Sequence, residues 1–224
     1  MTAQRGDERR AATLVAIVCG LLVLPWFWIV GATAGWPVDG SPSPDAGPRA
    51  FADFYLANID HLPLRATLAV GSWILWLLLI VAVAALVRGA FPLAARAATS
   101  LATAAIAVYV ASEGVLVWPA VGLRAADLPV ALDPGVAQAL VLSRDGLHAV
   151  GSVLLGAAMF ALAWPVARAP LPGRWVVAAI GALAGVSACA SVVVGPEGLG
   201  PGVILLWGLA VAGSGIADRL RARS

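Results

Sequence analysis

The sequence predicts an all-α membrane protein, a six-transmembrane-helix bundle with a short amphipathic helix in the first outer loop. Three observations predict this class. Hydrophobic residues make up 61% of the 224 residues and charged residues only 12%, whereas about a quarter of the residues in a soluble domain are charged. Six apolar runs reach or approach the roughly 20 residues that cross a bilayer. The arginines, finally, concentrate in alternate connections between these runs.

The six runs are expected to form a single integral membrane domain, residues 1–224. The first run has 24 residues, well above the roughly 7–15 residues of a signal-peptide core, so we expect it to be a retained helix. The sixth run is the shortest. The predicted spans are Ala11 to Ala34, Ala66 to Val87, Ala97 to Trp118, Leu147 to Ala167, Trp175 to Val194 and Val203 to Ala217.

The distribution of arginine predicts the orientation of these spans. All basic residues are arginines, and ten of the fourteen lie before the first span, after the sixth, or in the second and fourth connections. The arginine-rich side is cytoplasmic by the positive-inside rule, so both termini should be cytoplasmic. Heavy use of Ala, Gly, Val and Arg without Lys indicates a bacterial protein, and we therefore expect a multi-pass protein of the bacterial cytoplasmic membrane. The four outer arginines are Arg49, Arg65, Arg124 and Arg144.

The two long connections lie on the outer side. The first begins with Pro, Gly and Ser and then spaces its apolar residues at i, i+3 and i+4, which predicts an amphipathic helix from Arg49 to Asp60 that lies on the membrane surface or caps the bundle. In the second, Asp133 is a predicted N-cap with Pro134 at the first helical position. That helix either continues into the fourth span or breaks at Gly146. The spaced apolar residues are Phe51, Phe54, Tyr55, Ile59 and Leu62.

Small residues four apart predict close helix packing. Gly181 and Gly185 form such a pair in the fifth span, and Ser152 and Gly156 form another in the fourth. Small residues let helices approach where lipid supplies no hydrophobic drive. The expected use is packing within the chain; the alternative is a homodimer through Gly181 and Gly185. Other expected partners are the lipid bilayer and a second membrane protein.

Glu113 is the one carboxylate inside a run that is otherwise apolar, "YVASEGVLVWP". A charged residue at the centre of a membrane helix costs about 2.5–3.5 kcal/mol, and such residues usually face the bundle interior or a cavity. Glu113 precedes Trp118 by five residues, which places it about 8 Å below the outer interface. It is therefore a protonated or hydrogen-bonded residue that ties helices together, part of a ligand or proton site, or a residue whose side chain snorkels to the interface.

Four further polar residues fall at the outer ends of the second and fourth spans. They are Asp60, His61, Asp145 and His148. We expect Glu113, His61 and His148 to converge on one outward-opening pocket. One interpretation is a polar cap in which Arg144 and Arg65 pair with the acids. The other is a ligand site, since imidazole and carboxylate bind transition metals and paired histidines bind haem. Because no close ligand motif such as H-x-x-x-H occurs, no cofactor is predicted.

The segments "YVASEGVLV" and "SRDGLHAVGSVLLGAAMFALAWPVARAPLPGRWVVAAIGALAG" resemble an uncharacterised bacterial family of six-helix integral membrane proteins, the domain of unknown function 4386 type. The similarity lies mainly in the third to fifth spans, around Tyr109 to Ser112 with Glu113 and in "LPGRW". The resemblance implies six helices and brings no activity. In that family an arginine accompanies the glutamate on the third helix, whereas the neighbours of Glu113 here are apolar.

The sequence contains no phosphate-binding Gly loop and no G-x-S-x-G, H-E-x-x-H or C-x-x-C motif, so no catalytic residue is assigned and enzyme activity stays an open question. Nucleic-acid binding has no support. We expect a non-enzymatic inner-membrane protein that acts as an accessory or interaction subunit. The alternative is a small membrane enzyme or haem/metal-binding protein with an outward-facing Glu/His site. A small-molecule carrier ranks third.

Overall fold

The computed structural model describes residues 2–33, 42–43, 45–125, 132–194 and 200–221, and these residues form an all-α protein. The predicted span end Ala34 and the C-terminal Ser224 lie outside the described residues. The described residues contain seven helices, namely α1 (Thr2–Thr33), α2 (Pro48–Asn58), α3 (Leu62–Val87), α4 (Pro92–Ala125), α5 (Pro134–Arg168), α6 (Arg174–Val194) and α7 (Gly200–Arg221).

Five of the described helices are long and apolar enough to cross a membrane. They are α1, α3, α4, α5 and α7. In α6, the apolar stretch Arg174–Ala190 is shorter than the other five, although the helix itself continues to Val194 over 21 residues. A helical membrane bundle is therefore consistent with the structure.

The helix α5 is continuous where the sequence left two alternatives. It runs for 35 residues from Pro134 to Arg168, through Gly146. Asp133 is the N-cap, as predicted, and its side chain accepts hydrogen bonds from the backbone amides of Gly135 and Val136 at 2.8 and 3.1 Å. The polar residues just before Leu147 therefore belong to a helix that is long enough to span a membrane, rather than to a connecting loop.

The helix α2 packs across α5. Its rings of Phe51 and Tyr55 are buried, in a small apolar cluster with Leu116 of α4 and Val141 of α5. The Tyr55 hydroxyl donates a 2.7 Å hydrogen bond to the carbonyl oxygen of Leu116. Burial raises the pKa of Tyr55 above its ordinary value. The aromatic face of α2 is thus turned toward α4 and α5.

The other six helices form a closed ring in which each packs on its neighbours in the order α1, α3, α4, α5, α6, α7 and back to α1. An ion pair of 3.6 Å joins Arg9 of α1 to Asp218 of α7, so the start of the first helix and the end of the last lie at the same end of the ring. The ring encloses a core to which all six helices contribute. Leu79, Met159 and Trp207 are fully or almost fully buried within it.

Glycines mark the closest helix contacts in the ring. A Cβ on Gly156 of α5 would lie 2.7 Å from the carbonyl oxygen of Gly185 in α6, and one on Gly181 would lie 2.7 Å from Nε1 of Trp207 in α7. On the other side, a Cβ on Gly20 of α1 would overlap the Gly208 carbonyl oxygen of α7. Both Gly181 and Gly185 therefore make contacts within the chain. A homodimer through them stays a prediction.

Candidate functional site

Glu113 forms an ion pair with Arg144, which reaches it from the neighbouring helix α5. The Glu113 Oε1 atom accepts from Nη2 of Arg144 at 3.1 Å and from its Nε at 3.3 Å. The third guanidinium nitrogen, Nη1, donates to Oδ1 of Asp145 at 2.9 Å. The Glu113 side chain is only 6% exposed and that of Arg144 is 12% exposed. One arginine therefore binds two carboxylates, that of the buried Glu113 and that of the partly exposed Asp145.

The spacing of residues along the helices explains this placement. Glu113 follows Tyr109 by four residues in α4, and Arg144 precedes His148 by four residues in α5, so each pair shares one helix face. Since α4 and α5 are antiparallel neighbours in the ring, these faces meet in two layers about 6 Å apart. The charged layer contains Glu113, Arg144 and Asp145.

Arg65 of α3 completes the charge balance of this layer. Its guanidinium is half-buried and lies within electrostatic range of Arg144, Glu113 and Asp145. The group therefore holds two positive and two negative side chains with a formal sum of zero. The ion pair of Glu113 with Arg144 joins α4 to α5, and α3 contributes the nearby charge of Arg65.

The second layer is aromatic and hydroxylic. The Tyr109 ring stacks on Trp73 of α3, with centroids 4.9 Å apart, and meets the His148 ring at 4.6 Å. The Tyr109 hydroxyl lies 2.9 Å from Oγ of Ser152, which donates to the His148 backbone carbonyl at 3.0 Å. Gly151 leaves room for the Tyr109 ring, because a Cβ there would lie 2.9 Å from it.

One polar atom in this layer has no partner among the described residues. Nδ1 of His148 is buried and makes no hydrogen bond there. A buried imidazole nitrogen without a partner is costly, and in native structures it usually indicates a water, an ion or a function. His148 is therefore the residue of this region that has capacity for an additional ligand.

The structure brings together three of the five predicted site residues. Glu113 and Asp145 share Arg144, and His148 lies in the adjacent layer, one helical turn away along α5. His61 is exposed at the N-cap of α3, and Asp60 is exposed beside it. The contacts found for Glu113, Arg144 and His148 do not include His61. A single pocket that unites Glu113, His61 and His148 thus stays a prediction.

The chemistry of the group favours mutual neutralisation. The carboxylates of Glu113 and Asp145 both accept hydrogen bonds from the Arg144 guanidinium. Among the described residues, no group of three or more His, Cys, Asp and Glu side chains is arranged to hold a metal ion. Glu113, Asp145 and His148 are the residues that a ligand would have to use, and binding through the acids would compete with Arg144.

Sequence reasoning missed the aromatic layer. Trp73, Tyr109 and Ser152 were not among the candidate site residues, although Tyr109 and Ser152 lie at helical spacing from Glu113 and His148. The signal that could have found them is this i, i+4 relation on two helices expected to be adjacent. By contrast, the expected pairing of Arg144 with an acid is present, and the arginine comes from α5 rather than from the helix of the glutamate.

No protein-family model, curated protein or solved structure matches this chain. The resemblance to a six-helix bacterial membrane family accordingly stays an expectation from the sequence.

Proposed function

We propose that the chain is a non-enzymatic integral protein of the bacterial cytoplasmic membrane that acts as an accessory or interaction subunit beside another membrane protein. The observation that carries this proposal is the ion pair of Glu113 with Arg144. The acid that first indicated a ligand site is already bound at 3.1 Å by an arginine of the next helix. The cluster balances its own charge and joins α4 to α5, as a structural element of a scaffold would.

The proposal includes six spans. With 21 residues, α6 is about 31 Å long at 1.5 Å per residue, close to the roughly 30 Å of the hydrocarbon core. Its place in the ring between α5 and α7 supports a span of its own. An even number of spans also agrees with the ion pair between Arg9 and Asp218, because that pair requires both chain ends on one side.

The proposed orientation puts that side in the cytoplasm. Arginines cluster at this end of the ring, at the ends of α1 and α7 and in the turns that follow α3 and α5. The positive-inside rule then makes both termini cytoplasmic. In this orientation α2 lies on the outer side, where it covers the ends of α4 and α5 above the charged layer.

A partner surface is available on α6. Its outward side chains recur at helical spacing and are more than half exposed; Trp175, Val176, Leu183 and Val186 are between 52% and 59% exposed. Inside a membrane such a stripe contacts either lipid or another apolar helix. Because the main contacts of α6 among the described residues are with α5 and α7, this side of it is open to a partner.

Photo-crosslinking in intact membranes tests the proposal. A photoreactive residue at Leu183 or Val186 should give one discrete adduct with a second protein. The matched control places the same residue at Ile74 or Leu78, which are 48% and 43% exposed on α3, and should give mainly lipid adducts. Lipid adducts alone at all four positions would contradict the interaction role.

A ligand-binding protein is the second candidate, favoured by the unpaired Nδ1 of His148. Such a protein would bind haem, a transition metal or a small molecule in the layer beside Tyr109 and Ser152. An absorption spectrum and a metal analysis of the purified chain separate the two candidates. A bound chromophore or metal that is lost in His148→Ala and kept in His61→Ala would favour ligand binding over the scaffold role.

A further inference from the structure

A crevice of about 480 Å³ lies at the arginine-rich end of the ring, between the turn that joins α5 to α6 and the last turn of α7. Pro170 and Gly173 of the turn form part of its wall. Its charged lining consists of Arg174, Asp218 and Arg221, and Trp175 lies at its mouth. We propose that this crevice binds the phosphate of an anionic phospholipid headgroup.

The charge of the lining is suited to an anion. The single acid of the lining, Asp218, is directed at Arg9 of α1, 3.6 Å away, so part of its charge is already balanced from outside the crevice. Among the described residues, Arg174 makes one side-chain hydrogen bond, a long 3.4 Å bond from Nη1 to the carbonyl oxygen of Ala169. A guanidinium has five N–H donors in a planar fork that matches phosphate oxygens. Among the described lining residues, the crevice thus combines the guanidinium groups of Arg174 and Arg221 with one acid that is partly neutralised.

The surroundings favour a lipid over a free phosphate ion. Trp175 is 59% exposed and borders the crevice, and Val176 beside it is 58% exposed. From there the outward stripe of α6 continues through Leu183 and Val186. Tryptophan at this position is typical of the membrane interface. A lipid would place its phosphate between the arginines while its acyl chains enter the hydrocarbon beside Trp175 and Val176.

A Trp–Arg pair at the end of α5 agrees with a headgroup level at this end of the ring. The guanidinium of Arg168 lies over the ring of Trp164, 4.3 Å from its centroid, at the end of α5. Both Trp164 and Trp175 are more than half exposed. Basic pockets between transmembrane helices on the cytoplasmic side are recurrent sites for anionic headgroups. The inference requires that the chain is embedded in a membrane and is independent of the accessory role.

Native mass spectrometry of the full chain in detergent tests the site with two probes that share their acyl chains, phosphatidylglycerol and phosphatidylcholine. The variant is Arg174→Gln with Arg221→Gln. The matched control is Arg88→Gln with Arg96→Gln, which removes the same charge from exposed positions in the neighbouring turn at the same end. At about 1 kcal/mol for each arginine near a headgroup, the first variant should bind phosphatidylglycerol about 30-fold more weakly.

The wild type and the control variant should retain a preference for phosphatidylglycerol over phosphatidylcholine. Each single variant, Arg174→Gln or Arg221→Gln, should lose about fivefold, which keeps the test valid if the double variant unfolds. Equal losses in both double variants would overturn the site in favour of diffuse charge attraction. Equal binding of the two lipids would also overturn it. Displacement of the lipid by millimolar inorganic phosphate would show a free-anion site instead.

Discussion

Replacement of Arg144 by methionine should destabilise the bundle more than any other single change in the polar cluster. Arg144 is the only side chain that hydrogen-bonds both Glu113 and Asp145 in the described residues. Methionine keeps much of the length and the apolar stem of arginine but removes every donor. The 6% exposed Glu113 carboxylate would then be left in the interior with only the more distant charge of Arg65.

The expected magnitude follows from what each variant leaves unpaired. Removing one partner from a buried ion pair costs about 3–5 kcal/mol, and we expect Arg144→Met to fall in this range. Glu113→Gln should cost less, about 1–3 kcal/mol, because Arg144 keeps its bond to Asp145, which is one-third exposed. In the double variant, Glu113→Gln with Arg144→Met, both charges of the pair are removed, so neither is left buried without its partner. Its loss should therefore be smaller than the sum of the single losses by about 1–3 kcal/mol.

Unfolding in mixed micelles with increasing fractions of a denaturing detergent gives the free energies of unfolding for this comparison. The matched control is Arg168→Met on the same helix. Arg168 is exposed and lies over Trp164, so its loss should cost only about 0.5–1 kcal/mol. If Arg144→Met costs no more than Arg168→Met, or if the losses at Glu113 and Arg144 simply add, the ion pair does not hold α4 and α5 together.

Three further outcomes are expected. Gly156→Ala should destabilise the bundle by about 1–3 kcal/mol, since the new Cβ lies 2.7 Å from a carbonyl oxygen of α6, whereas Gly114→Ala, with nothing within 4 Å, should be neutral or stabilising by up to about 1 kcal/mol; equal effects would contradict the close α5–α6 contact. Tyr55→Phe should cost about 1 kcal/mol in unfolding through its lost hydrogen bond to α4, and an unchanged free energy would argue against that bond. A reporter that is active only in the periplasm should stay silent when fused after Ser224, and activity there would refute the six-span orientation.

The positions of the helices could be predicted from the sequence because apolar length and Pro or Gly punctuation are local signals. Asp133 followed by Pro134 correctly marks the start of α5. The hydropathy pattern nevertheless puts the start of the fourth span at Leu147, because the charged residues Arg144 and Asp145 interrupt the apolar run. In the structure these residues lie within the helix, since each charge meets an opposite one. The length of an apolar run underestimates a helix whose polar residues are neutralised by a neighbour.

The composition of the polar cluster could be predicted only in part. The energetic cost of a buried charge and the depth of Glu113 in its span predict polar neighbours for this residue. Arg144 pairs with Glu113, and Asp145 pairs with the same arginine. Which helix face meets which cannot be read from periodicity when the helix is apolar on all sides, as α3 and α5 nearly are. For this reason periodicity alone does not predict Tyr109 and Trp73 as neighbours of His148.

Two kinds of contact hold the ring together, close packing at small residues and polar bonds between helices. They occur in different parts of the ring, which explains why the third predicted span carries an acid. In lipid, helices gain little from burying apolar side chains against one another, so close backbone contact and interhelical polar bonds must hold them. Close packing at glycines holds α6 and α7 in the ring, at Gly20, Gly156 and Gly181. Between α4 and α5, Gly151 leaves room for the aromatic ring of Tyr109. One turn further along α4, a polar bond joins the two helices. There Glu113 provides the acceptor that fixes Arg144, and because the pair is directional it also fixes the register of α4 against α5. An apolar residue in place of Glu113 would fill the space, but it would leave Arg144 bonded only to its neighbour Asp145 among the described residues, and the polar bond between α4 and α5 at this level would be lost.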